Sequence, residues 1–393
     1  MTTENNNKNL NVPNLRFPEF NGEWERCSLG DITTNFSRRN KEEVRYPMFS
    51  VTNNRGFVPQ SEQFEDREMV GEDIKAYKII HKNDFAYNPA RINVGSIAKY
   101  NGDEPCMISS LYVCFTADKR LDNEWLMQLL KTPKMNFYYN INGEGGVRVY
   151  LFYPNFARIK TSFPSLQEQQ KISSFLALLD ERIATQIKII EKLESLIRGI
   201  SNNLLYSESG TPVRLGDILS ERSERTKVNN QHEVLSSTVK GIFSQREYFS
   251  KDIASENNVG YKVIRLHDVV LSPQNLWMGN INYNDKFDIG IVSPSYKIFS
   301  IADGYDKRFV AAMLKTHRAL YNYMLVSEQG ASVVRRNLNM EAFEQLVFKM
   351  PPIDKQREIG NAISALQSRL ELVVRTKTAY EKQKQWLLTQ MFI

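Results

Sequence analysis

Two stretches of this chain carry apolar side chains at the spacing of a coiled-coil helix. Between residues 166 and 205 no proline occurs, and apolar residues recur at alternating steps of four and three. The same steps return between residues 359 and 391. A period of about 3.5 residues, kept over several heptads, predicts a long helix with one narrow apolar seam. The predicted seam positions are Ile172, Leu176, Leu179, Ile183, Ile190, Leu193 and Ile197 in the first helix, and Ile359, Ile363, Leu366, Leu370, Val373, Tyr380 and Leu387 in the second.

Polar residues interrupt both seams, at Gln186 in the first and at Lys377 and Lys384 in the second. Because each apolar stripe is long and narrow, we expect the two helices to pack on each other rather than each on its own domain. Each helix would be about 55 Å long, whereas the domain between them would be about 40 Å across. An antiparallel pair places the end of the first helix beside the start of the second, so that domain has no long gap to bridge. The pattern therefore predicts a rod with one domain at each end and a pseudo-twofold axis through its middle.

The sequence outside the helices also contains an internal repeat. Leu29-Gly30-Asp31-Ile32 recurs as Leu215-Gly216-Asp217-Ile218, and Leu130-Lys131-Thr132 recurs as Leu314-Lys315-Thr316. Matching residues stand 184 to 187 positions apart throughout. A nearly constant offset over many separate matches indicates an internal repeat. The predicted boundaries are a disordered polar tail over 1–13, a domain over 14–165, a helix over 166–206, a second domain over 207–352 and a second helix over 353–393.

Within each domain, short apolar runs alternate with segments rich in asparagine, glycine and proline. Runs of this kind predict strands joined by long loops, with a short amphipathic helix later in each copy. The predicted fold class is therefore α+β, in two similar globular domains separated by two long antiparallel coiled-coil helices. The predicted strands cover residues 77–80, 94–98 and 108–115 with counterparts at 261–264, 279–283 and 292–299, and the predicted short helices cover 124–130 and 306–314.

Composition narrows the function classes. The chain has 393 residues and a net charge of +6, which permits nucleic-acid binding if the basic residues cluster on one face but does not establish it. Three cysteines without a C-x-x-C pair favour a reduced, cytoplasmic setting, and the four histidines lack metal-ligand spacing. No apolar run approaches the roughly 18 residues of a membrane span, and the start of the chain lacks a signal-peptide core. We therefore expect no metal site and no membrane partner.

Two similar but unequal domains on a rod could meet one face of a DNA duplex at two half-sites, because equivalent grooves recur about every 34 Å. Several motifs support this interpretation: Leu15-Arg16-Phe17-Pro18 with Trp24, Phe163-Pro164-Ser165-Leu166-Gln167-Glu168-Gln169-Gln170-Lys171-Ile172, and its copy Pro351-Pro352-Ile353-Asp354-Lys355-Gln356-Arg357-Glu358-Ile359. With these motifs the chain resembles the specificity subunits of type I restriction-modification systems over nearly its full length. The second copy departs from the pattern, since Lys355 and Arg357 stand where the first copy has Glu168 and Gln170.

The resemblance implies a non-catalytic subunit that reads a bipartite, asymmetric site on double-stranded DNA, with one target-recognition domain per half-site. It also implies two methyltransferase (modification) subunits, docked on the helices and on the inner sides of the domains, and motor-nuclease restriction subunits that join them. S-adenosylmethionine, ATP and magnesium would then be bound by those partners, and this chain itself would bind no cofactor.

The residues themselves form no complete catalytic motif. Asn88-Pro89-Ala90-Arg91 begins like the base-holding loop of an adenine methyltransferase, but it lacks the second proline and the aromatic residue. Gly143-Glu144-Gly145-Gly146 is rich in glycine, but no Gly-Lys-Ser/Thr follows, so it is not a phosphate-binding P-loop. We therefore predict that this chain does not catalyse a reaction.

Three pairs of polar loops, at matching places in the two copies, are the candidate DNA contacts. Arginine suits a guanine edge and asparagine or glutamine an adenine edge, whereas small residues beside an arginine suit a phosphate. The loops cover 52–56, 87–93 and 145–150 in the first copy, and 237–241, 271–277 and 330–337 in the second. The candidate residues are Asn53, Arg55, Tyr87, Asn88, Arg91, Asn93, Arg148 and Tyr150 in the first copy, and Lys240, Gln274, Asn275, Trp277, Arg335 and Arg336 in the second.

Three other functions stay open on the sequence alone. A reading subunit from a related restriction system, with a fused methyltransferase-nuclease partner, would have a similar domain plan. A scaffold that binds a protein at both ends would have the same shape without binding DNA. An enzyme in its own right is disfavoured by the missing motifs.

Overall fold

The computed structural model describes residues 11–63, 74–145, 149–204, 210–248, 257–329 and 336–393. The chain divides into two compact units. The first comprises Met1–Gln186 and Thr376–Ile393, and the second comprises Ile187–Arg375. Each unit thus contains one globular domain, the beginning of the long helix that follows that domain, and the end of the other long helix.

The domain of the first unit mixes short strands with short helices, as the sequence predicts. Its elements are β1 (Glu25–Ser28), α1 (Leu29–Ile32), β2 (Thr33–Phe36), β3 (Phe49–Thr52), β4 (Gly56–Pro59), α2 (Gln60–Gln63), β5 (Lys78–Ile80), β6 (Phe85–Tyr87), β7 (Ile97–Lys99), β8 (Cys106–Ile108), β9 (Val113–Ala117), α3 (Asn123–Leu130), α4 (Pro133–Asn142), α5 (Tyr153–Arg158) and β10 (Lys160–Phe163). The first long helix, α6 (Leu166–Leu204), follows directly.

The domain of the second unit repeats this series in the same order, with two additional strands near its end. Its elements are β11 (Thr211–Arg214), α7 (Leu215–Ile218), β12 (Leu219–Arg222), β13 (Leu235–Thr238), β14 (Gly241–Ser244), α8 (Gln245–Tyr248), β15 (Lys262–Arg265), β16 (Val269–Leu271), β17 (Ile281–Tyr283), β18 (Ile289–Val292), β19 (Lys297–Ile301), α9 (Lys307–Leu314), α10 (His317–Leu325), β20 (Ser327–Gln329), β21 (Arg336–Leu338), α11 (Met340–Glu344) and β22 (Val347–Met350). The second long helix is α12 (Ile353–Gln390).

The strand pairs of the first domain all recur in the second, which adds the pair β20-β21. This recurrence confirms the internal repeat and the α+β class. A central antiparallel sheet has the order β2-β9-β6-β7 in the first unit and β12-β19-β16-β17 in the second. The hairpin β3-β4 and the pair β5-β8 recur as β13-β14 and β15-β18. A further pair joins the first strand of each domain to its last, β1 with β10 and β11 with β22. This pair brings the beginning of each domain to the strand that leads into its long helix.

Some predicted strand bounds are wrong. Residues 108–115 form two strands, β8 and β9, and residues 292–299 likewise fall into β18 and β19. The serines of the intervening turns interrupt each apolar run, and a backbone hydrogen bond from Tyr112 N to Ser109 O (3.2 Å) closes the first turn. The predicted strand over 94–98 begins later, because Ile92–Val94 is a 3-10 helix.

Side-chain caps define where the short helices begin. Asp122 Oδ1 accepts from Trp125 N (2.7 Å) at the start of α3, and Thr132 Oγ1 accepts from Met135 N (3.2 Å) at the start of α4. The second domain has the same caps at Asp306 for α9 and Thr316 for α10. Such caps satisfy amide groups that have no partner within the helix. The threonine of the repeated Leu-Lys-Thr motif is therefore a helix-start signal.

The predicted seam is the least exposed face of each long helix. Ile172, Leu176 and Leu179 are buried within α6, and Ile359, Ile363, Val373 and Leu387 are buried within α12. The other predicted seam residues are half-buried, namely Ile183, Ile190, Leu193, Ile197, Leu366, Leu370 and Tyr380. The neighbouring positions on both helices are mostly exposed. A heptad stripe read from the sequence alone thus identifies the packed face.

The ends of the two long helices meet in an antiparallel manner within each unit. In the first unit, Leu176 near the beginning of α6 and Leu387 near the end of α12 belong to one hydrophobic core. In the second unit, Ile200 near the end of α6 packs against the core that contains Ile359 and Ile363 near the beginning of α12. The antiparallel order predicted for the helices is therefore confirmed.

Among the described residues, none of the helices combines the length and the apolar character that a membrane span requires.

The predicted disordered tail over 1–13 is partly wrong. Residues 1–10 lie outside the described residues, but Asn11 is buried. Its Nδ2 donates to Trp24 O (2.6 Å) and to Ser162 Oγ (2.9 Å). A buried carboxamide with both contacts belongs to the folded domain, which therefore begins no later than residue 11.

Candidate nucleic-acid interface

The three loops that the sequence singles out in the first copy lie together in the fold. Leu151 N, just after the loop 145–150, donates to Pro89 O in the loop 87–93 (2.9 Å). Ser96 Oγ, just after that second loop, donates to Val51 O beside the loop 52–56 (2.7 Å). Three separate loops therefore form one surface of the first unit.

A glycine allows two of these loops to approach closely. Gly95 has a φ of +100°, a left-handed conformation that glycine adopts without steric cost. A Cβ atom at this position would stand 2.8 Å from the Asn53 carbonyl oxygen. A larger residue at position 95 would push the loops 52–56 and 87–93 apart.

The matching loops of the second copy converge in the same way. Arg336 N, at the end of the third loop, donates to Gln274 O in the middle loop (3.1 Å). Asn280 Nδ2, just after the middle loop, donates to Ser237 O in the first loop (3.1 Å). The loop assembly is thus a property of the repeated fold rather than of one domain.

Buried polar side chains hold the loops of the second unit from beneath. Ser237 Oγ donates to Asn280 Oδ1 (2.9 Å), and Asn282 Nδ2 donates to Ser237 Oγ (2.7 Å) and to Thr238 O (2.8 Å). The Lys315 ammonium donates to Asn282 Oδ1. Because these bonds are directional and satisfied, they fix the loop backbone beneath a solvent-facing edge.

Arg91 presents an exposed guanidinium in the middle loop of the first unit. Its side chain is exposed, and no residue of the described part of the chain offers its guanidinium a hydrogen bond or an ion pair. Its backbone, in contrast, is fixed, since Arg91 N donates to Asn88 O (3.0 Å) and Ser96 N donates to Arg91 O (3.1 Å). A rigid backbone that presents an unpaired guanidinium suits bidentate contact with a guanine or a phosphate.

Two asparagines near Arg91, Asn88 and Asn93, each use one polar group of the side chain in a hydrogen bond within the domain. Asn88 Oδ1 accepts from Ala90 N (3.0 Å), which shapes the turn. Asn93 Nδ2 donates to Asn140 Oδ1 of α4 (3.0 Å). Within the described residues, Asn88 Nδ2 and Asn93 Oδ1 have no hydrogen-bond partner.

The loop 52–56 presents exposed polar side chains. Asn53 is exposed, and the Arg55 guanidinium pairs with Glu62 Oε2 at 2.9 Å, with both side chains more than half exposed. An ion pair this exposed contributes little to stability, so Arg55 can exchange it for a phosphate at small cost.

Tyr87 does not belong to the loop surface, contrary to the sequence-based prediction. It is the last residue of β6, is fully buried, and packs against Phe115 and Phe156 with ring centroids 6.3 and 5.3 Å away. Burial raises the pKa of its hydroxyl well above its usual range. The Tyr87 ring is therefore part of the domain core and is not available for DNA contact.

The third loop of the first unit places two aromatic rings at the surface. Tyr150 and Phe152 stack with ring centroids 6.3 Å apart and planes at 12°, and both side chains are exposed. Arg148, the other candidate of this loop, lies outside the described residues. Exposed stacked rings offer flat apolar area for a base or a sugar.

In the second unit, Trp277 and Arg336 contact each other. The Arg336 guanidinium carbon lies 4.9 Å from the Trp277 ring centroid, a cation–π distance. Arg336 Nη1 also donates to Met324 O (3.4 Å), and its Nε is buried with no hydrogen-bond partner among the described residues. The Arg336 side chain therefore stabilises the loop conformation through contacts within the unit. Arg335, its neighbour, lies outside the described residues.

The remaining second-unit candidates differ in exposure. Gln274 and Lys240 are exposed, whereas Asn275 is half-buried. Gln274 occupies the middle loop, as Arg91 does in the first copy, but carries a neutral carboxamide. The two copies thus present different hydrogen-bonding groups on the same scaffold.

One further residue near the loops was missed by sequence reasoning. Lys131 lines an open pocket of about 460 Å³ together with Asn53, Asn93, Gln128 and other residues. The pocket walls desolvate the Lys131 ammonium and lower its pKa, as does the nearby Lys384 ammonium, although the Lys131 side chain reaches solvent. The repeated Leu130-Lys131-Thr132 motif was a signal for this residue, but it did not show where the lysine points.

The described residues contain no cluster of three or more His, Cys, Asp or Glu side chains that could hold a metal ion. The cysteines are free thiols, and burial raises the pKa of Cys27 to about 11 and those of Cys106 and Cys114 to about 12. Thiols with such pKa values are poor nucleophiles at neutral pH.

Comparison with known proteins identifies the domain type. Residues 21–195 match the family described as the type I restriction modification DNA specificity domain. The chain is 20% identical to a putative type I restriction enzyme MjaX specificity subunit of Methanocaldococcus jannaschii, and the alignment covers 97% of this chain and 95% of that protein. The predicted resemblance to type I specificity subunits is therefore confirmed.

Solved structures show the same fold. The S subunit of a type I restriction-modification system from M. genitalium superposes with a TM-score of 0.61 and 14% identity, covering 97% of this chain and 99% of that one. A chain from a study of complex assembly and conformational transition of the type I restriction-modification system gives a TM-score of 0.53 and 14% identity, covering 93% and 96%.

Proposed function

We propose that this chain, a relative of the type I specificity subunits, reads a bipartite and asymmetric target on double-stranded DNA, with one domain for each half-site. It catalyses no reaction itself. Its two similar domains carry out the recognition, and its helices carry partner subunits.

The observation that carries the proposal is the convergence of three loops in each unit. The loops are polar segments at matching positions of the internal repeat. They converge through equivalent contacts, Leu151 N to Pro89 O in one unit and Arg336 N to Gln274 O in the other. A shared scaffold with different side chains is what two different half-sites require.

The side chains favour different contacts in the two units. In the first, the guanidinium of Arg91 suits the O6 and N7 acceptors of guanine, and Asn53 and Asn93 suit adenine. In the second, Gln274 and Asn275 suit adenine, while Lys240 suits a phosphate. We therefore expect the half-site read by the first domain to contain a guanine that the second domain does not require.

A specificity subunit of this kind would work with catalytic partner subunits. Two methyltransferase subunits would dock on the long helices and the domains, and motor-nuclease subunits would join through them. S-adenosylmethionine, ATP and magnesium would be bound by those partners. Because the chain has no cofactor site of its own in this proposal, its DNA affinity should not depend on any of the three in the absence of the partners.

The test is a map of methylated adenines in cells with and without this gene. A bipartite motif should be methylated in the first case and unmethylated in the second. An unchanged map in a strain that expresses the partner methyltransferase would contradict the proposal. A domain exchange sharpens the test, because replacing residues 14–165 with the matching segment of a relative should change one half of the motif only.

A further inference from the structure

One glutamine at the beginning of each long helix is buried against the domain that precedes it. Gln169 in α6 is 0% exposed and Gln356 in α12 is 3% exposed. The two residues are 187 positions apart, which is the repeat offset of the helices. Most other glutamines of these helices face solvent, for example Gln167 and Gln170. Buried carboxamides require partners, and both residues have them.

In the first unit, the Gln169 carboxamide joins three segments. Its Oε1 accepts from Asp122 N (2.8 Å), and its Nε2 donates to Pro164 O (2.9 Å) and to Arg120 O (3.1 Å). Asp122 is the N-cap of α3, and Pro164 lies between β10 and α6. The side chain therefore ties the first turn of the long helix to the end of the sheet and to the start of α3.

The second unit makes the same connection. Gln356 Oε1 accepts from Asp306 N (3.0 Å), and Gln356 Nε2 donates to Pro351 O (2.8 Å). Asp306 is the N-cap of α9, the counterpart of α3. The same carboxamide geometry in two domains that differ in most residues points to a requirement that both share.

The helix also approaches α9 closely at this point. A Cβ atom on Gly360, one turn after Gln356, would stand 2.5 Å from Asp306 Oδ1 and 2.7 Å from Phe309 N. The capped end of α9 therefore leaves no room for a side chain at position 360. In this arrangement the Gln356 hydrogen bonds fix the rotation of α12 against the domain, and Gly360 permits the short distance between α12 and α9.

Apolar packing alone does not fix such an orientation. The seam residues Ile172 and Ile359 join each helix to its domain core, but apolar contact is non-directional and tolerates small rotations. Hydrogen bonds weaken steeply when their angles change, so a buried carboxamide with two or three partners restricts rotation of the helix against the domain.

We propose that Gln169 and Gln356 are positioning residues: each fixes the orientation of its recognition domain on the helix that follows it, and thereby the number of base pairs accepted between the two half-sites. The claim about spacer length rests on the proposed bipartite recognition. The claim about domain orientation concerns each unit alone and can be tested without DNA.

The first experiment measures orientation within the first unit. Nitroxide labels on cysteines placed at the exposed positions Asn101 and Ser174, in a Cys27→Ser background, report the distance between domain and helix. Gln169→Met removes the hydrogen bonds at nearly constant volume, and Gln167→Met, on the exposed face of the same helix turn, is the matched control. The distance distribution should broaden for Gln169→Met and stay as in the wild type for Gln167→Met.

The second experiment measures spacer tolerance with the complete complex. Methylation rates are compared on the native target and on targets with one base pair added to or removed from the spacer. For Gln169→Met and for Gln356→Met, the rate on altered spacers relative to the native spacer should rise about tenfold over that of the wild type, with a further rise when both are combined.

Each outcome decides a different point. An unbroadened distribution for Gln169→Met would overturn the orientational role, whether or not the chain reads DNA. A broadened distribution with unchanged spacer discrimination would overturn the link to spacing. A wild-type complex that methylates no bipartite target would instead contradict the proposed function. If Gln169→Met fails to fold, Gln169→Asn keeps the carboxamide on a shorter stem, and failure of both variants to fold would make Gln169 a folding residue and overturn the positioning role.

Discussion

Lys384 of α12 and Asp180 of α6 form an ion pair in which the ammonium lies 2.6 and 2.7 Å from the two carboxylate oxygens. Both residues belong to the first unit. Lys384 occupies a seam position that the heptad pattern marks as an interruption. The structure shows that the interruption has a partner on the other helix, so the lysine contributes to the pairing of the helices in that register.

Removal of this pair should have a small but measurable cost. The Lys384 and Asp180 side chains are 18% and 47% exposed, so solvent screens the attraction. A double-mutant cycle of Lys384→Ala and Asp180→Ala, followed by urea unfolding, should give a coupling of about 0.5–1 kcal/mol. The pair Lys377–Glu381, four residues apart on α12, is the control and should give about 0.3–0.5 kcal/mol. Zero coupling for Lys384 and Asp180 would show that the ion pair adds nothing to helix pairing.

Replacement of the middle-loop side chains should affect one half-site at a time. Arg91→Ala should reduce discrimination in the half-site read by the first domain by about 1–3 kcal/mol, because a bidentate contact is lost. Gln274→Ala should do the same for the other half-site. Both side chains are exposed, so the melting temperature should stay unchanged.

The measurement is competition binding by the assembled complex with targets altered at one base pair at a time. Each variant serves as the control for the other. Wild-type affinity and discrimination for Arg91→Ala would remove Arg91 from the contact surface, and equal losses at both half-sites would contradict the assignment of one domain to each.

Lys131→Gln tests whether the pocket beside the loops receives a DNA phosphate. The wild-type ammonium is desolvated and near solvent, so neutralising it should weaken binding to all sequences alike and reduce the slope of log affinity against log salt by about 1. Lys315→Gln is the matched control at the same position of the second copy. Its ammonium is held by Asn282, so this variant should leave the salt slope unchanged. A sequence-dependent loss for Lys131→Gln would point to base contact instead.

Phe392→Ala tests how far the end of α12 supports the first domain. Phe392 is 8% exposed and stacks on Trp125 with ring centroids 5.7 Å apart. The substitution should destabilise the first unit by about 3 kcal/mol, because it leaves a cavity against a buried ring. Trp386→Ala, a 56% exposed aromatic residue of the same helix, should cost well under about 1 kcal/mol.

Hydrogen exchange shows which unit the Phe392→Ala substitution destabilises. In Phe392→Ala, protection of α3 should fall while protection of α9 in the second unit should not, since α9 shares no core with Phe392. Equal loss in both units would show that they unfold together.

The long helices were the easiest part of this fold to predict. A heptad seam depends only on helix geometry, so Ile172, Leu176, Ile359 and Ile363 could be assigned to the packed face without knowledge of tertiary structure. The repeat was equally accessible, because constant offsets require no structural interpretation.

The candidate site was predicted in outline but not in its details. Tyr87 reads as a loop residue because β6 is only three residues long and is buried on both faces, so no alternation marks it as a strand. The convergence of the loops depends on contacts such as that of Ser96 with Val51, which join residues far apart in the sequence. Gln169 stands in a motif that identifies the family, but its burial follows only from the position of α3.

The composition of the first unit has a consequence for the order in which the protein matures. This unit needs residues Thr376–Ile393, which leave the ribosome only after all of Ile187–Arg375 has been made. The domain at the beginning of the chain therefore cannot complete its core during early synthesis, when Leu387, Met391 and Phe392 are still absent. The second unit is a continuous segment and can finish first. Until residues 376–393 have been synthesised, the apolar surface that they cover in the first domain stays exposed on the nascent chain.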